Sequence, residues 1–168
     1  MKKILAFSII LFAITAGTFA QNTDTEPTIA TATIVGPLTL TKVNDMDFGT
    51  IAVSAAVGSV VLATDNTRSA SGGASLVPPA NGLAASFTVA GQASETFAIT
   101  LPADGTVTLT GPGVAMPVST FNHNAGATPA LNGTGTAAFT VGATLTTGAS
   151  QASGAYSSAN FPVTVSYN

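Results

Sequence analysis

The chain has 168 residues, with four Lys and Arg, seven Asp and Glu, one His and no cysteine, for a formal charge of −3. The lack of cysteine excludes disulfides, thiol catalysis and metal–thiolate sites, and the acidic balance argues against nucleic acid as a partner. Charged residues make up only 7% of the chain and hydrophobic ones 46%. Such a composition folds around a core and covers its surface with hydroxyls and methyls, which fits a packed or polymerised surface better than a freely soluble enzyme.

Met1-Lys2-Lys3, the apolar run Ile4 to Ala16 and the small residues Gly17-Thr18-Phe19-Ala20 have the three parts of a secretory signal. Cleavage after Ala20 leaves residues 21–168, in which Lys42 and Arg68 face seven acids, a balance of −5. The apolar run is short for a bilayer span and none follows it, so no integral membrane segment is expected in the exported chain. Residues 21–27 read as a polar, flexible leader.

Thr28 to Val35 is a β-branched run suited to a strand, interrupted by Gly36-Pro37, since Pro has no N–H for a ladder. Alternation resumes at Leu38–Thr41. A turn at Asn44-Asp45 precedes Met46–Ile51, and Gly58–Ala63 gives another apolar strand. Asp65–Ala74 reads as a loop or polar edge, and Pro78-Pro79 with Asn81-Gly82 as a break. Ser86–Val89 and Thr96–Leu101 read as central strands joined by a hairpin loop at Gly91–Glu95. Val107–Leu109, Val114–Phe121 and Thr136–Leu145 complete the series before the last unit. There Phe161, Val163, Val165 and Tyr167 alternate with Pro162, Thr164, Ser166 and Asn168, the period of a half-buried strand. A closing strand with an unpaired edge must be covered, blunted or filled by another chain.

Short strands spaced by turn signals, with no helical periodicity after residue 20, predict one all-β domain over 36–168, a Greek-key β-sandwich. No residue pattern points to catalysis. Asp45 and Asp47 read as a turn residue and an exposed strand residue, because the spacing of a calcium loop is missing. His123 has no second His or Cys for zinc, and no nucleophile elbow occurs. Gly111-Pro112-Gly113 and Gly133-Thr134-Gly135 lack the helix and lysine of a phosphate loop and read as turns. No metal, cofactor or enzymatic activity is expected.

Four stretches together resemble the pilin-like family that includes spore coat protein U: the Thr/Ala/Val run before Pro37, Asp45-Met46-Asp47-Phe48-Gly49-Thr50-Ile51, the Phe87 and Phe97 strands, and Gly154-Ala155-Tyr156 with Val163-Thr164-Val165-Ser166-Tyr167. The resemblance implies an incomplete immunoglobulin-like sandwich lacking its final strand. It also implies export through a periplasmic chaperone and an outer-membrane usher, and polymerisation with identical or related subunits into a surface fimbria. In such an assembly residues 21–35 are the candidate donor, with Ile29, Thr31, Thr33 and Val35 on one face and Ala30, Ala32 and Ile34 on the other. The acceptor groove lies beside Phe161, Val163, Val165 and Tyr167. Many relatives carry a disulfide near the first strand, which this chain lacks. The residues alone leave two alternatives open. Thr28–Val35 could be the domain's own first strand, and the chain could be a self-contained secreted binding module displaying loops at Asp65–Asn81 and Val114–Asn132.

Overall fold

A computed structural model describes residues 23–79 and 82–168. The expected secretory signal at 1–20, the start of the 21–35 segment and Asn81 lie outside the described residues. Residues 23–33 belong to a unit separate from Ile34–Asn168, and they are exposed with no helix or strand. Ile34 and Val35 are likewise exposed and outside any strand.

The second unit is an all-β, antiparallel sandwich. Its strands among the described residues are β1 (Thr39–Asn44), β2 (Ile51–Leu62), β3 (Arg68–Leu76), β4 (Ala85–Ala90), β5 (Phe97–Thr100), β6 (Val107–Leu109), β7 (Met116–His123), β8 (Thr136–Thr147) and β9 (Thr164–Tyr167). One sheet runs β1-β4-β8-β2-β3, with β7 also on β8 and β6 on β7, and β5 and β9 form a second, two-stranded sheet. β8 organises the larger sheet. Its first half pairs β4, with Phe87 opposite Phe139, and its second half pairs β2, with Val60 opposite Leu145.

β8 can serve two neighbours because its inward positions Phe139, Val141, Ala143 and Leu145 are all buried, whereas its opposite face carries Thr140, Thr144 and Thr146. The Phe87 and Phe139 rings stack with centroids 5.2 Å apart, the cross-strand aromatic contact that fixes register. Around them Val89, Phe97, Leu131 and Val141 form one core cluster. A second cluster holds Phe48, Val60, Leu62, Val107, Met116, Val118 and Leu145.

Three local expectations change. Gly91–Glu95 is no hairpin: β4 and β5 lie in different sheets, so the segment crosses between layers. Gly91 suits that crossing, because a Cβ there would collide with the Tyr167 hydroxyl. The Thr96–Leu101 strand is consequently not central, since β5 pairs only β9 and is flanked by the bridge Thr96–Ala130. Finally, much of Asp65–Asn81 is not a display loop but β3, the polar edge of the larger sheet, paired along β2. Its Ser, Ala and Gly residues carry little apolar signal, so the ladder to β2 decides its structure. Likewise Val114–Asn132 contains β7, whose Pro117 sits opposite Thr108.

Candidate functional site

The two most distinctive sequence segments become the two walls of one cleft. Asp45–Val53 forms one side and Gln151–Phe161 the other of an opening of about 1180 Å³. Its floor is the second core cluster, including Val107, Met116, Val118 and Leu145. Val107, Met116, Val118 and Leu145 are themselves buried, so the floor is core lying directly beneath the cleft.

Each wall is built by turn chemistry. Asp47 exchanges backbone hydrogen bonds with Leu83, and its Oδ1 accepts from the N–H of Gly49 at 2.7 Å. Gly49 has φ +68°, the left-handed conformation that this Asx-type turn demands. The turn drives Phe48 into the core, and the Phe48 carbonyl accepts from Nη1 of Arg68. Asp45 is held by Lys42 in an exposed ion pair of small energetic weight. Both carboxylates thus shape or flank the turn, and among the described residues no group of three His, Asp or Glu converges for a metal.

In the opposite wall the Tyr156 hydroxyl donates to the Ala152 carbonyl at 2.8 Å, and its ring lies against Gly111, where a Cβ would collide with it. Ser157 bridges to Thr110 through both backbone groups. The Gly111-Pro112-Gly113 turn is therefore the seat of Tyr156. Gly133-Thr134-Gly135 is also a turn, ordered by the Asn132 side chain, whose Oδ1 accepts from the N–H groups of Thr134 and Thr136. His123 packs edge-on to Phe139, and its Nδ1 accepts from the Ala125 N–H.

The wall containing β2 has an unpaired backbone edge. β3 pairs both halves of β2, but β8 pairs only Gly58–Leu62, ending at Thr147 opposite Gly58. The Thr50 carbonyl accepts from Val77 N–H on the β3 side. Since the peptide groups of a strand alternate in direction, those of Ile51 and Val53 point away from β3, toward the gap where β8 has stopped. Among the described residues no backbone group answers them. Beside this gap, Thr147 Oγ1 and Gln151 Oε1 are buried without hydrogen-bond partners, and both residues line the cleft. Buried polar atoms are nearly always paired, so these two mark an incomplete surface.

Of the predicted acceptor residues only Val165 and Tyr167 lie in β9, while Phe161 and Val163 precede it outside any strand. Phe161, Val163, Val165 and Tyr167 are half-buried and their alternates exposed. Only Phe161 borders the cleft, where it meets the ring of Phe121 at 5.7 Å. Val163, Val165 and Tyr167 pack on the other core cluster, and β9 pairs β5. The Tyr167 hydroxyl donates to the Gly36 carbonyl at 3.1 Å and accepts from the Gln92 N–H at 2.7 Å. The candidate donor residues Ile29, Thr31, Thr33 and Val35 are exposed and in no strand. The bare β2 edge, Thr147 and Gln151 escaped the sequence reading. Where β8 stops relative to β2 is a matter of register, which no local pattern reveals.

The family model described as a domain of unknown function (DUF4402) matches residues 38–167, a span that takes in both walls of the cleft. No curated protein and no solved structure matches the chain. With most of its length covered by that match, the chain belongs to the DUF4402 family.

Proposed function

We propose that the chain is an exported structural subunit of a bacterial surface fibre, polymerising by accepting an extended segment of a neighbouring subunit into its cleft. One observation supports this reading: the sandwich has a cleft of about 1180 Å³ with an apolar floor and, in its wall, a strand edge at Ile51–Val53 without a backbone partner among the described residues. β-strand addition suits such a site, because main-chain hydrogen bonds supply affinity and alternate side chains enter the groove. The exposed, β-branched run 28–35 supplies a segment of matching character.

The energetics require both contributions. Full burial of one branched aliphatic is worth about 1.5–3 kcal/mol, so the few aliphatics on either face of 28–35 leave much of the affinity to the ladder. In this reading a periplasmic chaperone covers the cleft before assembly and an outer-membrane usher secretes the subunit. The resemblance to spore coat protein U-like pilins supports those partners.

The test is assembly of the purified exported chain. Full-length subunits should form fibres or oligomers, and deletion of residues 21–35 should leave a monomer that still binds a peptide of residues 26–36. Fibres that survive the deletion, or an intact chain that stays monomeric at all concentrations, would sink the proposal.

A further inference from the structure

We propose that the docking line of the cleft is the bare half of β2 at Ile51–Val53, and that its occupant is residues 28–35 of a second copy, with the hydroxyl-bearing face turned inward. This rests on the fibre-subunit reading but moves the acceptor line away from the closing strand. Of the four residues expected there, Phe161 alone borders the cleft, while the other three pack in the opposite cluster. Ile51 and Val53 instead line it and direct unanswered peptide groups into the gap beyond the end of β8.

The inward face follows from the two unpartnered polar atoms. Thr147 is 1% exposed, and its hydroxyl needs a partner that gives or takes a hydrogen bond. Gln151 Oε1 can only accept. An aliphatic incoming face leaves both unsatisfied. The face Ile29, Thr31, Thr33, Val35 places two hydroxyls between two aliphatics, whereas the face Thr28, Ala30, Ala32, Ile34 brings one, at the end of the segment. Ile29 and Ile34 are 89% and 93% exposed, so the segment's apolar surface is uncovered in the single chain. The turn after β8 screens Thr147, tied across by the Ser150 N–H to the Ser54 carbonyl. Seating the strand along β2 displaces that bond and opens the hydroxyl to the newcomer.

Because the chain has no cysteine, disulfide trapping reads the register without background. Ala52 is exposed, on the face opposite the inward Ile51 and Val53. With the hydroxyl face inward, Ala30 and Ala32 of the incoming strand lie on that same outer face. Full chains carrying Ala52→Cys are mixed under mild oxidation with chains carrying Ala30→Cys, Ala32→Cys, Thr31→Cys or Thr33→Cys, and Ser166→Cys on β9 serves as the rival acceptor. The expected result is linkage of position 52 to 30 or 32 about tenfold faster than to 31 or 33, since geometry restricts which Cβ pairs can bridge. Preferential linkage to 31 or 33, or linkage through 166 instead of 52, overturns the inference while leaving strand donation standing. No linkage at any pair in a chain that stays monomeric overturns both.

Discussion

The half of the sandwich built on Val89, Phe97, Leu131 and Phe139 is roofed by its own chain, whereas the half built on Val107, Met116, Val118 and Leu145 borders a cleft that Phe87 also lines. Both halves share β8, and both present alternating apolar faces. They differ in what covers them. In the closed half β9 pairs β5, and Leu131 N–H donates to the Glu95 carbonyl, so local ladders complete the roof. In the open half β8 stops at Thr147 while β2 runs on to Ile51, so the backbone of Ile51 and Val53 has no partner on the β8 side among the described residues. In the proposed function, stability and docking fall on different ends of the same sheet.

The strongest way to break that comparison is to attack the closed half. Phe139→Ala removes the ring stacked on Phe87 and should cost about 3–5 kcal/mol in urea unfolding, and a loss under 1 kcal/mol would mean that this half does not anchor the fold. Next, a peptide of residues 26–36 should stabilise the whole domain through the open half. At a hundred times its Kd, linkage predicts a gain of about 2.7 kcal/mol, read as a rise in Tm. A scrambled peptide of the same composition should give far less.

Tyr167→Phe sharpens the comparison at the closed half, where the hydroxyl ties Gly36 and Gln92 to β9. Loss of that hydroxyl should cost about 1–2 kcal/mol by denaturant unfolding and leave peptide binding unchanged. A change in peptide affinity would show that the two halves are coupled.

The smallest effect concerns Asp65, remote from the cleft. The Thr67 hydroxyl, with the Thr67 N–H second, bonds its carboxylate and holds its pKa below the usual 3.8. A carboxyl with a lowered folded pKa contributes stability above its unfolded value and loses it as pH falls through the folded one. Asp65→Asn should therefore slightly flatten the acid limb below about pH 4 without moving peptide affinity. An unchanged acid limb would contradict that role for Asp65.

Much of the fold was legible in the chain because the strand period is written in side chains. The inward set Phe161, Val163, Val165 and Tyr167 and the positions of β4, β6, β7 and β8 follow from alternation alone. β3 was legible only as one of two alternatives, a loop or a polar edge at Asp65–Ala74, because a Ser/Ala/Gly strand has no apolar stripe and takes its structure from β2. Of the cleft, the walls were visible as the segments around Asp47-Phe48-Gly49 and Gly154-Ala155-Tyr156, although nothing local says that they face each other. The bare edge at Ile51–Val53 depends on where one strand ends beside another, and Thr147 looks like any other threonine of β8 until its hydroxyl is found buried and unpaired.

Amide hydrogen exchange at Ile51 and Val53 tests strand docking most directly, measured on residues 21–168 at a concentration where they are monomeric, with and without saturating 26–36 peptide. Both amides should exchange rapidly in the free chain and become protected when peptide is bound, while the β5–β9 ladder stays as it was. Unchanged exchange at Ile51 and Val53 with peptide bound, or protection appearing along β9 instead, would contradict the cleft as a strand acceptor at β2.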